Sequence, residues 1–339
     1  MPHRAPELSM SAAGKSACVR ILVVRLGAMG DIIHTLPAVA SLKHSYPGSR
    51  VTWIVESQWA PLLEDNPFLD RVILLHRGTP GGIFGSWRAL RAEAYDLAID
   101  FQGLLKSALA ASAAHADQIY GFHQAQVREP AAALFYSHKT LSQAAHVVDR
   151  NLDLAAAAGA ANALRAFPLP PGRPEGDLPA GDFVLACPLA GWRSKQWPIE
   201  SYGSLAERLR RELGIPLVLN GPHGCSFPQA ENALPHRSGL PGLIDATRRA
   251  AAVVGVDSGP LHMAAALSKP GVALFGPTDP ARNGPYGDSL RVLRAAGAAT
   301  TYTRGASIDR SMQQISPDEV FEALRLVLGE RRHRTGCLA

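Results

Sequence analysis

The stretch ILVVRLGAMGDIIHTLPAVASLK, residues 21–43, constrains the fold more than any other part of the chain. Ile21 to Val24 is an apolar run with the length and branching of a buried strand. Gly27 and Gly30 then mark a turn where backbone can approach a neighbour closely. Ile32, Leu36, Val39 and Leu42 follow at helical spacing. A strand, a glycine turn and a helix in that order open a β-α-β unit, which calls for a parallel sheet covered on both faces. Asp31 stands at the head of the helix, beside the crevice that forms at the carboxyl ends of such strands. A carboxylate in that crevice is placed for chemistry.

The alternation continues. Apolar runs at 51–56, 71–76, 95–103 and 118–122 read as strands, with Ala-rich helices from about 105 and over about 145–158. Residues 168–181, PLPPGRPEGDLPAG, have the composition of a linker. A second series follows it, with strands at 183–188, 216–221, 251–257 and 271–276. Its helices are expected over about 199–213, 226–234, 260–267 and 317–328, the last N-capped by Ser316. The fold class is therefore α/β, two Rossmann-like domains facing across a cleft. The first occupies 21–167 and the second 182–315, with a C-terminal helix over 316–330 and tails at 1–20 and 331–339.

Composition bounds the function. With 339 residues the chain is long enough for two domains, and 47% hydrophobic with 19% charged residues is globular. A net charge of +5 permits anionic partners but does not demand nucleic acid. No apolar run reaches the roughly 20 residues that span a bilayer, and residues 1–20 lack the core of a signal peptide. Gly14-Lys15-Ser16 imitates the end of a phosphate-binding P-loop, but the motif's first glycine and preceding strand are missing. Cys18, Cys187, Cys225 and Cys337 are scattered, with neither a CxxC pair nor zinc spacing, as expected of free thiols in a reducing compartment.

Further motifs fall at strand ends. In VVGVDSGPLHMAAAL, 253–267, a strand ends at Asp257 and Pro260 suits a first helical turn. The helix-start amides, with Ser258, Gly259 and His262, could cradle a pyrophosphate; alternatively Ser258 is an ordinary cap and His262 a surface residue. GWRSKQWP, 191–198, puts Arg193, Ser194 and Lys195 after another strand, where a cation could neutralise a leaving diphosphate or simply be solvated. Trp192 and Trp197 read as packing anchors. DFQGLLKS, 100–107, offers Gln102 and Lys106. VREPAAALFYSHK, 127–139, offers Arg128 to an anionic acceptor, or an Arg128–Glu129 pair at a helix end. FGPTDP, 275–280, sets Thr278 and Asp279 at a turn that borders the cleft.

In this order the motifs resemble the heptosyltransferases of glycosyltransferase family 9, bacterial enzymes of the lipopolysaccharide inner core. The resemblance rests on LGAMGDIIHTLPA, DFQGLLKS, REPAAALFY, SKQWP, VDSGPLHMAAAL and FGPTDP and covers about residues 20–328. The REP…LFY element is similar to the branch that adds the first heptose to the Kdo of lipid A. The resemblance implies a GT-B fold, with acceptor on the first domain and ADP-heptose on the second, and inverting transfer without a metal or other cofactor. Asp31 then matches the catalytic base, and Lys195 the lysine on the sugar-phosphate side. Ser194, Asp257, Ser258, Gly259, His262 and Thr278 fall on the donor side. Gly27, Ala28, Met29, Gly30, Gln102, Lys106 and Arg128 fall on the acceptor side. Ser258 stands where Thr is common, and 220–234 lacks the acidic run often found there.

A lipid acceptor implies peripheral docking at the cytoplasmic face of the inner membrane. HRGTPGGIFGSWRALR, 76–91, mixes Arg77, Arg88 and Arg91 with Phe84, Trp87 and Leu90 and suits an anionic surface. It could equally pack on its own domain. Closure of the domains over both substrates is expected around 168–182. A glycosyltransferase of the same fold with another nucleotide sugar, or a non-catalytic nucleotide-sugar-binding protein, are the competing readings.

Overall fold

The computed structural model describes residues 18–224, 230–301 and 303–336. The Gly14-Lys15-Ser16 run, most of the N-terminal tail, Cys225, Cys337 and part of the helix expected at 226–234 lie outside them. Cys18 and Cys187 are free thiols. Among the described residues no helix is long and apolar enough to cross a membrane.

Two six-stranded parallel sheets organise the chain. The first is built from β1 (Arg20–Val24), β2 (Arg50–Glu56), β3 (Arg71–Leu75), β4 (Leu97–Asp100), β5 (Gln118–Phe122) and β6 (His138–Thr140), in the order β3-β2-β1-β4-β5-β6. The second uses β7 (Val184–Cys187), β8 (Leu217–Gly221), β9 (Leu234–Arg237), β10 (Ala252–Val256), β11 (Gly271–Phe275) and β12 (Leu290–Arg294), in the order β12-β11-β10-β7-β8-β9. Central strands are apolar on both faces because helices cover both. Ile21 to Val24 are fully buried, and β10 and β11 are buried from end to end.

The helices are α1 (Met29–Ser45), α2 (Pro80–Arg91), α3 (Leu105–Ala113), α4 (Val147–Ala157), α5 (Ile199–Leu213), α6 (Leu240–Arg249), α7 (Gly259–Ala266), α8 (Pro280–Asn283), α9 (Arg310–Gln313) and α10 (Pro317–Gly336). Ser316 begins α10 as expected: its Oγ accepts from the Glu319 amide at 3.2 Å, and Glu319 accepts from the Ser316 amide at 2.9 Å. The helix runs past residue 330 to Gly336. It lies on α5, where Arg208 pairs with Asp318 at 2.7 Å and Glu322 at 2.9 Å. Leu213 is followed by Gly214 at φ 68°, the left-handed cap that ends α5.

Each sheet reverses direction once. The chain runs outward from β1 through β2 to β3, then returns to place β4 on the other side of β1. The second sheet does the same between β7 and β10. Such switch points leave a crevice at the carboxyl ends of the two central strands, and ligands of open α/β sheets bind there.

One expectation is overturned. Where a helix was expected at 226–234, residues 230–233 form a turn and Leu234 opens β9. The Ala-containing AENAL run suggests a helix, but Pro235 has no N–H and is tolerated at the margin of a sheet. There it sits, opposite Leu219 on edge strand β9. The short edge strands β6 and β12, and helices α2 and α6, were not anticipated.

The expected linker has no regular structure, yet it is tied down. Arg248 donates to the carbonyls of Leu169 at 2.7 Å and Pro170 at 3.0 Å. Glu175 accepts from the Gly239 amide at 2.6 Å, and Asn66 reaches the Pro168 carbonyl at 3.4 Å. One buried apolar cluster also joins Ile33 and Leu36 of α1 to Leu261 and Met263 of α7, so the two sheets share part of a core.

Candidate active site

Asp31 lies at the switch point of the first sheet. It is the third residue of α1, and its Oδ2 accepts from the Ala28 amide at 3.3 Å, satisfying one of the donors that a helix start leaves open. Its Oδ1 pairs with Nη2 of Arg25 at 2.7 Å. The Arg25 side chain is only 8% exposed, against 47% for Asp31. Arg25 also donates through Nη1 to the Phe101 carbonyl at the end of β4. The guanidinium therefore spans the two central strands and holds one face of the carboxylate, while the other faces the cleft. Gln102, after β4, accepts from the Leu26 amide at 2.8 Å and fixes the turn from below.

Behind this turn Asp100 is fully buried. It accepts from the amides of Gln102 at 2.8 Å and Gly103 at 3.3 Å, from Ser107 Oγ at 2.8 Å and from Tyr136 Oη at 2.7 Å. Burial raises its pKa against these four donors. The Tyr136 contact explains why DFQG and REP…LFY belong together: one carboxylate fastens both. Arg128 and Glu129 part company. Arg128 lines the cleft, while Glu129 accepts from the Leu105 amide at 2.6 Å and caps the start of α3.

The second switch point carries the other half. Lys195, after β7, pairs with Asp257, at the end of β10, at 2.6 Å, and both side chains are largely buried. His262 Nε2 lies 3.6 Å from the other Asp257 oxygen. Burial alone would raise the Asp257 pKa; His262 and the Lys195 ammonium outweigh it and hold it at about 2. Ser258 is the residue before α7 but its side chain caps nothing. Its Oγ, the Oγ of Ser194 and the Oγ1 of Thr278 are buried without a hydrogen-bond partner among the described residues. They follow β10, β7 and β11, three neighbouring strands. A buried hydroxyl left unpaired costs about 1–3 kcal/mol, so three at one sheet edge, beside an ammonium and the head of α7, suit an anion with several acceptor oxygens.

The heads of α1 and α7 touch. Gly30 lies against the His262 ring, and Gly259 against the Met29 side chain. The space beside Gly27 is taken by Trp59. His262 is buried, which removes the surface reading. Its ring centroid is 4.2 Å from that of His34, which is 5.7 Å from His146. Burial, then the charges of His262, His146 and Arg25, push the His34 pKa well below the histidine range. A clasp closes this side: Tyr286 donates to Asp149 at 2.8 Å, Arg165 donates to Tyr286 at 2.8 Å, and His146 lies 3.1 Å from the Gly284 carbonyl.

Between the sheets lies a cleft of about 830 Å³. Asp31, Gln102, Arg128 and Arg150 line it from the first domain, and Trp192, Arg282, Asn283 and Arg304 from the second. Trp192 was expected to be a packing anchor; it faces the cleft instead, with Lys195 Nζ 4.3 Å from its ring centroid and Arg304 at 5.7 Å. Trp197 does anchor the core, donating to the Ile315 carbonyl at 2.9 Å. Lys106 does not line this cleft; from α3 it pairs with Glu56 at 3.2 Å. Asp279 turns away to cap α8 through the Ala281 amide at 3.0 Å. The sequence reading missed Arg25, whose signal was a cation directly after the apolar run Ile21 to Val24. It also missed Arg150, Arg282 and Arg304, which no motif marked.

Two Rossmann-like domains with facing switch points, a carboxylate on one and a cationic anion cradle on the other, define the architecture of a GT-B glycosyltransferase. Comparison with known proteins narrows the class. The profile of glycosyltransferase family 9 (heptosyltransferase) matches residues 83–309. Lipopolysaccharide heptosyltransferase 1 of Escherichia coli strain K12 is 31% identical over 310 residues, 82% of this chain and 94% of that one. Its Pseudomonas aeruginosa PAO1 counterpart is 33% identical over 300 residues, 80% of this chain and 82% of that one. The solved structure of E. coli heptosyltransferase WaaC with ADP-2-deoxy-2-fluoro heptose superposes with a TM-score of 0.70 at 27% identity, covering 91% of this chain and 99% of that one. The chain belongs to glycosyltransferase family 9, the heptosyltransferases, and is a glycosyltransferase.

Proposed function

We propose that the chain transfers heptose from ADP-heptose to the Kdo residue of a lipid A acceptor in lipopolysaccharide core assembly, inverting the anomeric carbon without a metal ion. The reading rests on one relationship above all: Asp31 and the Lys195–Asp257–His262 group occupy facing switch points whose helix heads are in contact. In this scheme the acceptor hydroxyl oxygen attacks the anomeric carbon and its proton passes to Asp31. The bond from that carbon to the diphosphate oxygen breaks, and ADP leaves toward the second domain. Arg25 keeps the carboxylate aimed into the cleft. Lys195, the α7 amides and the hydroxyls of Ser194, Ser258 and Thr278 receive the charge that develops on the leaving group. Arg128 and Arg150 face the acceptor side, where the carboxylate and phosphates of a Kdo-lipid A head group would lie.

Donor and acceptor meet at the cytoplasmic face of the inner membrane, and we place the enzyme there as a peripheral protein. The linker at 168–181 is the segment about which the domains would adjust. The two relatives named above are called lipopolysaccharide heptosyltransferase 1, which supports the lipopolysaccharide and heptose parts of the reading. The test is a donor screen on a heptose-free Kdo-lipid A acceptor, read by product mass and nucleotide release. The proposal expects one added heptose with ADP-heptose and none with UDP- or GDP-sugars. Transfer from another nucleotide sugar, or acceptor-independent binding with no product, would replace it with one of the competing readings.

A further inference from the structure

Outside the cleft, the first domain has an apolar groove of about 190 Å³ between α2 and α3. Leu26, Ile54, Leu90 and Ala110 form its buried floor, while Ile83, Trp87 and Leu109 stand at its rim, each more than one third exposed. Phe84, on the same helix, is 73% exposed. An apolar cavity of about 150 Å³ stays dry and takes up benzene, so this groove has the size and lining for a stretch of hydrocarbon. Its mouth is cationic. Arg77 and Lys106 share a single carboxylate, Glu56, at 2.6 Å and 3.2 Å. Arg88 and Arg91 are exposed on α2, and no acidic residue occurs between 76 and 92. Hydrocarbon below and excess positive charge above match an anionic amphiphile.

The groove adjoins the acceptor side of the cleft through one residue. The Leu26 side chain lies in the groove floor, while its backbone amide is bound by Gln102, which lines the cleft. The next residue, Gly27, begins the turn to Asp31. We propose that this groove binds an acyl chain of the glycolipid acceptor, with an anionic group of that lipid at Arg77 and Lys106, and so positions its sugar at Asp31. The inference rests on the acceptor being a lipid, as proposed above. It assigns Lys106 a place that its absence from the main cleft otherwise leaves unexplained.

Trp87 at the rim supplies a readout that does not depend on transfer. A terminally brominated dodecyl phosphate should quench Trp87 fluorescence saturably below its micellar concentration, and Trp87→Phe should remove the quenched component. The double variant Ile83→Gln, Leu109→Gln alters exposed rim positions and should weaken binding of that probe about tenfold, the scale expected for a few buried methylenes. The same variant should lower about tenfold the selectivity for an acylated over a deacylated acceptor. Undiminished quenching in Trp87→Phe, or unchanged selectivity in the double variant, would overturn the assignment. Equal quenching by vesicles of brominated phosphatidylglycerol without acceptor would give the groove to bulk lipid and also overturn it. Transfer to neither acceptor by the unaltered protein would instead refute the proposed function, and the quenching would still decide the groove.

Discussion

Gly30 and His262 are in contact across the cleft: a β-carbon on Gly30 would fall 2.5 Å from Cδ2 of the His262 ring. Met29 is seated on Gly259 in the same way: a β-carbon on Gly259 would fall 2.6 Å from Met29 Sδ. The Asp31-bearing turn of one domain and the head of α7 in the other are thus fitted as glycine against side chain, twice. Gly30→Ala has to separate α1 from α7 or turn His262 away from Asp257. Overpacking of this kind costs about 1–3 kcal/mol, to be read from urea unfolding, with a parallel fall in turnover. Wild-type stability and turnover together would show that the helix heads do not meet this closely.

The Asp100–Tyr136 bond predicts strong coupling between two distant segments. Tyr136→Phe removes one donor from a fully buried carboxylate and should cost about 1–3 kcal/mol. Asp100→Asn loses several bonds at once and should cost more. Because the two share one interaction, the double variant should cost less than the sum, by at least 0.5 kcal/mol or so in a double-mutant cycle. Simple additivity would mean that the tyrosine hydroxyl and the aspartate act independently.

Stability should fall in acid by two separate steps. His34 and His146 have pKa values lowered chiefly by burial, so below about pH 6.5 the unfolded chain binds protons that the folded one refuses. Folded-state stability is therefore full above that pH and declines as pH drops below it. Asp257 acts lower: held at about 2 against an ordinary 3.8, its contribution is present above pH 3.8 and is lost as pH falls toward 2. Urea titrations at pH 7, 6 and 5 should show the first step, and His34→Leu should flatten it. A stability flat from pH 7 to 5 would mean that the histidines do not stay neutral in the folded protein.

Nucleotide binding should depend on Lys195 and not on a divalent ion. Lys195→Ala leaves Asp257 buried without its ammonium partner, and breaking such a pair costs about 3–5 kcal/mol. Lys195→Arg keeps the charge and serves as the folded control. Calorimetry should show ADP binding at least tenfold weaker in Lys195→Ala and unchanged by EDTA in the unaltered protein. Loss of binding on chelation, restored by Mg²⁺, would transfer the phosphate role from these side chains to a metal.

Much of this arrangement was legible in the sequence because it lies where strands end. Asp31, Gln102, Ser194, Lys195, Asp257 and Ser258 each follow an apolar run that could only be a buried strand, and the switch points gather them. Residues that reach the cleft from less regular stretches left no such mark. Arg282 and Asn283 lie on the short α8, and Arg304 in an irregular segment. Trp192 showed the limit of residue-type reasoning, since a tryptophan beside a lysine can stack with it or bury itself, and its neighbour Trp197 does the latter. Lys106, four positions after Gln102, lines the groove between α2 and α3 and not the cleft, a difference that spacing alone does not carry. The helix expected at 226–234 failed because alanine content says little beside a proline on an edge strand.

The central claim is that Asp31 takes the acceptor proton while the second domain holds the donor, and Asp31→Asn tests it most directly. Steady-state transfer from ADP-heptose to the Kdo-lipid A acceptor should be measured alongside calorimetric binding of ADP-heptose to the same preparation. Loss of a general base lowers rates by about 100- to 10,000-fold, so kcat should fall by that order while donor affinity stays within about twofold. Near-normal turnover would remove Asp31 from the chemistry. Loss of donor binding in proportion to turnover would place the nucleotide sugar on the first domain and reverse the assignment of the two sites.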